Sequence, residues 1–402
     1  MKVAVIGGGA AGFFSAINAK ENFPDSEVTL FEKSTKTLSK VRISGGGRCN
    51  VTNGSSTIKE LAAAYPRGSK EMKKLLKVFN TPDTQAWFEN RNVPLFTQED
   101  GRVFPVSNNS DSIIQCFMSE VEKLGIKLET QKAVTKIESQ TNSLYCTLSD
   151  DNIENFDKVI VGTGGSPKRR GFEWLEELGH KIEDPVPSLF TFNMPEENVT
   201  ELMGVALKSV SVKIQGSKLK SEGPLMITHW GMSGPAILKI SAFGARELSE
   251  KDYNFKAQIN WVNIQNHETI YQELEKLGKT NVKKPLGKLK AFGIPSRLWN
   301  FLILKAGLDI EKPWGELGKK SFNKIITHLC NDVYAVSGKT TFKEEFVTCG
   351  GVSLEDIDFN TMQSKVIPNL YFAGEVIDID GITGGYNFQA AWSTAYVAAK
   401  LQ

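Results

Sequence analysis

The sequence predicts an α/β protein. Both chain ends contribute to a parallel, doubly wound, Rossmann-like sheet, which carries an inserted β-barrel-like module and an inserted helical module. Three observations carry this reading. A glycine-rich turn joins a short apolar strand to a helix at the start of the chain. A strand, a second glycine-rich turn and a helix close it. Between them the texture changes, first to short β runs broken by Gly and Pro, then to helices.

At 402 residues the chain is long for one domain. Its 40% apolar and 23% charged residues exclude a disordered protein. The expected division is 1–189 with 346–402 for the nucleotide-binding domain, 190–265 with 331–345 for the β module, and 266–330 for a lysine-rich helical module. The five cysteines are scattered and form no CxxC pair, so neither a disulfide framework nor a metal site is expected. The apolar start MKVAVIGGGAAGFF has the glycine spacing of a strand and turn rather than of a signal peptide. No run of 18 apolar residues occurs, so a soluble, cytoplasmic protein with no membrane partner is expected.

Val3–Ile6 reads as a buried strand, residues 10–22 as a helix, and Val28–Glu32 as the next strand: the opening βαβ unit of a parallel sheet. Residues 71–92 and 111–124 have helical periodicity, with GRVFPVS at 101–107 as a loop between them. Ala133–Glu138, Leu144–Leu148 and Asp157–Val161 read as strands, as do Ala206–Ile214 and Phe255–Trp261 in the β module. His267–Leu277, Ser296–Ala306 and Ser321–Leu329 read as helices. Leu370–Ala373 is a strand and Gln389–Leu401 the closing helix.

Gly7, Gly9 and Gly12 form GxGxxG between that first strand and helix. The first glycine permits the tight turn, the second lets backbone approach a pyrophosphate, and the third lets the helix pack closely, with Ala10 and Ala11 at its start. Glu32, followed by Lys33, ends the second strand where a carboxylate accepts hydrogen bonds from ribose hydroxyls. A second glycine cluster, Ser44, Gly45, Gly46, Gly47, Arg48, Cys49 and Asn50, follows Lys40 and Arg42. Exposed backbone NH groups beside cations suit phosphates or the edge of a large cofactor. VIVGTGG at 159–165 runs a strand into a small-residue turn, with Thr163 and Gly164 as cofactor contacts. Val134 is a further expected contact.

Near the end, a strand leads into Gly374 and Glu375, and Gly384, Gly385, Tyr386 and Asn387 open the last helix. The acid suits a sugar-like chain, and the helix start offers NH groups and a positive dipole to a ring. One extended dinucleotide, FAD, spans two such distant half-sites.

These motifs resemble the BaiN/RdsA-like family of NAD(P)/FAD-dependent oxidoreductases. The resemblance rests on GGGAAG at 7–12, KVRISGGGRCNVTN at 40–53, GRVFPVS at 101–107, THWGMSGPAIL at 228–238, TCGGVSLEDID at 348–358 and NLYFAGEVIDIDGITGGYNFQAAWSTA at 369–395. It implies a two-dinucleotide-binding-type FAD domain with β-barrel-like and helical inserts. It also implies reduction of activated C=C bonds, in bile-acid-type enones or in a uracil ring of ribosomal RNA, and an amine-oxidase label has been used for relatives. One departure is the short, basic stretch 166–171, where the family carries a longer Ser/Thr/Gly-rich loop.

A second GxGxxG is absent, so NAD(P)H is expected as a transient reductant at the flavin. Cys49, His229 and Tyr386 are the catalytic candidates. Against these stand a small buried cysteine, a structural turn histidine and an ordinary helix-start tyrosine. Between Lys276 and Lys324, twelve basic residues face three acidic ones, a net +9, leaving −7 for the rest of a chain whose total is +2. That asymmetry points to RNA as substrate. Its alternatives are a solvated lysine face with a small-molecule enone or amine substrate, and a flavin-bearing RNA-binding or redox-sensing protein without turnover.

Overall fold

A computed structural model describes residues 1–54, 57–140, 143–340 and 347–402. The chain forms two compact units, Met1–Ser188 with Phe342–Gln402, and Leu189–Thr341. The β module and the lysine-rich helices fall together in the second unit, where their buried side chains form one continuous core. The expected 345/346 boundary lies outside the described residues.

In the first unit, β1 (Lys2–Ile6), β2 (Glu27–Glu32), β3 (Lys127–Thr130), β4 (Lys158–Val161) and β5 (Leu370–Phe372) form a parallel sheet in the order β5-β4-β1-β2-β3. Two short antiparallel strands, Gln363–Ser364 and Ile357–Asp358, extend it beyond β5. Chain order reverses at β1, and in open α/β sheets the crevice at that switch point is where a ligand binds. Val3, Ala4 and Val5 are fully buried, as parallel strands covered on both faces must be. Helix α1 (Ala10–Asn22) is buried almost all round because it lies inside the layer packing. Its Phe14 meets Phe79, Trp87 and Trp392, the last at 5.2 Å from the closing helix α3 (Tyr386–Ala398). Aromatic pairs of this kind contribute about 0.5–1.5 kcal/mol beyond their buried area. They tie the two chain ends together.

Two local expectations are corrected. Residues 71–92 are not one helix but two, Ser69–Leu75 and Thr81–Glu89. Asn80 and Asp83 form a reciprocal capping box with Pro82 behind the cap, so a new helix starts where the apolar period runs on. Residues 102–105, expected within a loop, form a strand paired with Leu95–Thr97 and Thr52–Asn53. Gly101 (φ +83°) makes the turn, and the burial of Val103 and Phe104 holds the strand.

In the second unit, seven strands run in the order Asp332–Ser337, Asn254–Asn260, Ala206–Ile214, Lys220–Thr228, Gly231–Ser233, Thr191–Asn193 and Lys339–Thr340. The first and last are one run of chain, broken only at Gly338 (φ +101°). Gly338 N donates to Tyr253 O at 2.9 Å, and its carbonyl accepts from Asn193 N at 3.2 Å. The sheet therefore closes on itself as a barrel. Helices His267–Thr280, Ser296–Lys305 and Lys319–Cys330 share its core. Asp332, 1% exposed, accepts from Trp261 Nε1 (3.0 Å), Lys305 Nζ (2.7 Å) and the Tyr334 hydroxyl, which satisfies a buried carboxylate. Among the described residues no helix is long and apolar enough to cross a membrane.

Candidate cofactor site

The site is built on the C-terminal ends of β1 and β4. Gly7 has φ +111°, and a Cβ there would fall 2.5 Å from Gly162 O and 2.8 Å from Thr163 Cα. At Gly12 a Cβ would strike the Gly7 carbonyl oxygen. Only glycine allows this turn and this helix to meet. Gly9 is different: a Cβ on it meets nothing within 4 Å. It faces open space at the N-terminus of α1, whose first NH groups lack helical partners and favour an anion.

Glu32 closes one side. Its Oε2 accepts from Gly8 N at 2.7 Å and its Oε1 from Ser34 N at 2.8 Å. Each oxygen keeps a lone pair for a ribose hydroxyl. Gln131 N and Lys132 N donate to the carbonyls of Ser34 and Glu32, and Val134 opens the strand Val134–Gln140, paired with Leu148. Lys33 is exposed.

Helix α2 (Ser39–Gly47) is bound to the first turn, since Leu38 N donates to Gly8 O at 2.8 Å. Its backbone leaves helical geometry at Ser44, Gly45 and Gly46, so the glycine cluster is a kinked end and not a plain loop. Gly46 and Gly47 face open space, whereas Gly45 packs under Phe104, whose ring also carries Arg48 at 4.1 Å. Arg42 pairs with Asp111 at 2.7 Å. Cys49 is fully buried and beside Ser44, and burial pushes its thiol up to about 12.

The other chain end enters here. A Cβ on Gly374 would lie 2.7 Å from Ala11 Cβ, which seats the end of β5 against α1. Glu375 Oε2 is 2.6 Å from Lys40 Nζ, and its Oε1 accepts from Thr348 N at 2.8 Å. In the amide orientation that satisfies both ends, Asn50 Oδ1 accepts from Gly385 N at 2.9 Å. Asn53 Nδ2 donates to Gly384 O at 3.0 Å, and Asn387 brackets Gly381 through both its amide atoms. Tyr386, half-buried, opens α3. Gly164 (φ +78°) again faces open space, and Thr163 is exposed.

The structure thus gathers both glycine clusters, Glu32, Lys40, Glu375 and the start of α3 in the first unit. His229 belongs to the second unit, exposed between two barrel strands, with its ring 4.5 Å from Trp230. Sequence reasoning missed Thr348, Gly165 and Asn53. The Thr348 hydroxyl is buried without a hydrogen-bond partner, and a Cβ on Gly165 would lie 2.7 Å from Glu375 Oε1. The doublet Gly350–Gly351, just beyond Thr348, was the available signal.

FAD fits these residues. Open glycines line a cradle, a buried hydroxyl lacks a partner, an acid waits at the ribose position and the start of α1 borders the open Gly9. Glu32 would hold the adenosine ribose, the α1 start with Gly9 the pyrophosphate, and Glu375 with Lys40 the central chain. The α3 start would face the ring.

The HI0933-like protein Rossmann domain matches residues 1–401. The chain belongs to that family. With it, the chain is a flavin-dependent oxidoreductase. It is 27% identical to the ribosomal RNA dihydrouridine synthase of Haemophilus influenzae, over 98% of this chain and 96% of that one. It is 26% identical to the 3-dehydro-bile acid delta(4,6)-reductase of Clostridium scindens, over 99% and 98%. Among solved structures, 3-ketosteroid delta1-dehydrogenase from Sterolibacterium denitrificans shares the fold, with a TM-score of 0.51 and 12% identity over 99% of this chain and 98% of that one.

Proposed function

We propose that this family member is an NAD(P)H-using reductase of an activated C=C bond, and that its substrate is uridine in ribosomal RNA. The observation that carries the substrate choice is the charge of the helical insert. Lys283, Lys284, Lys288, Lys290, Lys319, Lys320 and Lys324 are exposed, and none has an acidic partner among the described residues, whereas Lys279 and Lys305 do. Lys319, Lys320 and Lys324 share one face of the helix Lys319–Cys330 with Asn323 and Thr327. A single-charge steroid acid needs no such surface, while RNA carries a phosphate per nucleotide. The name of the Haemophilus relative points the same way.

The flavin supplies hydride transfer, and NAD(P)H replenishes it. Saturating the uracil 5,6 bond takes one hydride and one proton and leaves NAD(P)⁺. The protein orients the ring and delivers the proton. Of the three candidates, Tyr386 suits that role best: it is half-buried at the start of α3 beside Gly384. Cys49 is sealed off with its proton firmly held.

Mass spectrometry of ribosomal RNA from cells lacking this protein tests the reading. Loss of a two-hydrogen addition on one uridine is expected, restored by the wild-type gene. Unchanged ribosomal RNA would turn the proposal to a small enone, which the equally similar bile-acid reductase supports.

A further inference from the structure

We propose that Arg67 is a positioning residue for the cofactor site: through its ion pair with Asp380 it holds the Gly381–Tyr386 turn that presents the start of α3 to the flavin. The inference rests on the FAD reading above and adds to it a residue no motif contains. Asp380 has no exposed surface. Arg67 Nε donates to its Oδ1 at 2.6 Å, a second guanidinium nitrogen bonds Oδ2, and Ser188 Oγ donates to Oδ2 at 2.7 Å. The two residues also face each other in an isolated antiparallel bridge.

The whole segment around Arg67 lies along that turn. Ile382 N donates to Ala64 O at 2.9 Å, and Tyr65 OH donates to the Tyr386 carbonyl at 2.8 Å. A Cβ on Gly68 would fall 2.5 Å from Ile379 Cγ1. On the opposite side, Asn53 and the Thr52 backbone meet Gly384 and Gly385. The turn is clamped from both sides, and the charged pair is the fixed point of one clamp.

A buried ion pair is a poor way to stabilise a fold, because desolvation offsets most of the attraction and apolar partners of similar size do as well. Burial in fact pushes the Asp380 carboxyl up despite Arg67 and Ser188. What apolar partners lack is the planar two-point registry of guanidinium on carboxylate. Stability and positioning are therefore separable.

The test compares Arg67→Met, Arg67→Lys and the double variant Arg67→Met/Asp380→Leu with wild type. It measures apo-protein thermal unfolding, FAD affinity, and the visible spectrum and midpoint potential of the bound flavin. Arg67→Met, which leaves the buried Asp380 carboxylate without its cation, should lose both stability and affinity. The double variant should recover wild-type unfolding yet bind FAD about tenfold more weakly, with a more negative potential, since the helix start no longer faces the ring squarely. Arg67→Lys keeps the charge without the fork, so it should fold and also bind more weakly. If the double variant recovers affinity, spectrum and potential along with stability, the pair is only a structural pin and the proposal fails. Should the double variant not fold, an Arg67→Lys protein identical to wild type in spectrum, potential and affinity overturns it equally. A wild-type chain that takes up no FAD sinks the cofactor reading itself, and this inference with it.

Discussion

Lys40 and Glu375, 335 positions apart in the chain, form an ion pair of 2.6 Å across the cofactor cradle. Lys40 comes from the helix that follows β2, and Glu375 from the turn that follows β5. The second carboxylate oxygen fixes the Thr348 amide. The pair joins the two half-sites.

Glu375→Ala is expected to weaken FAD binding by about tenfold, the effect of one or two charge-assisted hydrogen bonds. The apo protein should stay folded but lose about 1–3 kcal/mol, because the buried Thr348 amide loses its acceptor, while the half-exposed Lys40 pair adds little. Calorimetric titration with FAD checks the first, and a thermal melt of the apo protein the second. An unchanged Kd would assign the role to another residue.

Two glycines of one motif should fail in different ways. Gly9→Val projects into open space, so the apo protein should keep its melting temperature and lose FAD. Gly12→Ala drives a Cβ into the Gly7 carbonyl oxygen, so it should cost at least about 1–3 kcal/mol of stability as well. Equal melting temperatures for the two variants would contradict the close approach of α1 to the turn.

Much of this site is legible in sequence because its parts are local. GxGxxG and the acid at the end of β2 depend on contacts a few residues long. The helix break at Asn80 was also written locally, as Asn-x-x-Asp with Pro behind the cap, but an apolar period that continues through 71–92 masks it. The strand at 102–105 is hidden by the glycine before it and the proline at its end. Barrel closure at Gly338 and the placing of Thr348 and Arg67 depend on residues far away in the chain. No spacing rule reaches them.

His180 makes stability pH-dependent. It is 2% exposed, with Nδ1 3.2 Å from Leu175 O and Nε2 2.7 Å from Ser364 Oγ. Burial holds its pKa below the usual histidine value, against the hydrogen bond to Leu175 and the charge of Asp356. The unfolded chain then binds the proton more readily. Stability is full above about pH 6.5 and falls as pH drops toward the depressed folded value. Thermal melts should show this loss, and His180→Gln should flatten it. A His180→Gln protein with the wild-type slope would show that other groups control the acid limit.

For the basic insert, RNA affinity should fall with salt at a log-log slope of about −0.7 per phosphate contacted. Changing Lys283, Lys284, Lys288 and Lys290 to Glu should weaken binding and make that slope shallower. FAD content should stay unchanged, because the cradle lies in the other unit. Wild-type RNA binding after the reversal would leave the lysines as a solvated face.

FAD binding is tested by the identity and amount of flavin released when the purified protein is denatured. Two half-sites from the two chain ends predict one FAD per chain, freed without covalent attachment and lost in Gly9→Val. Release of FMN, or a wild-type protein that stays colourless after incubation with FAD, would rule out an FAD site built from both chain ends.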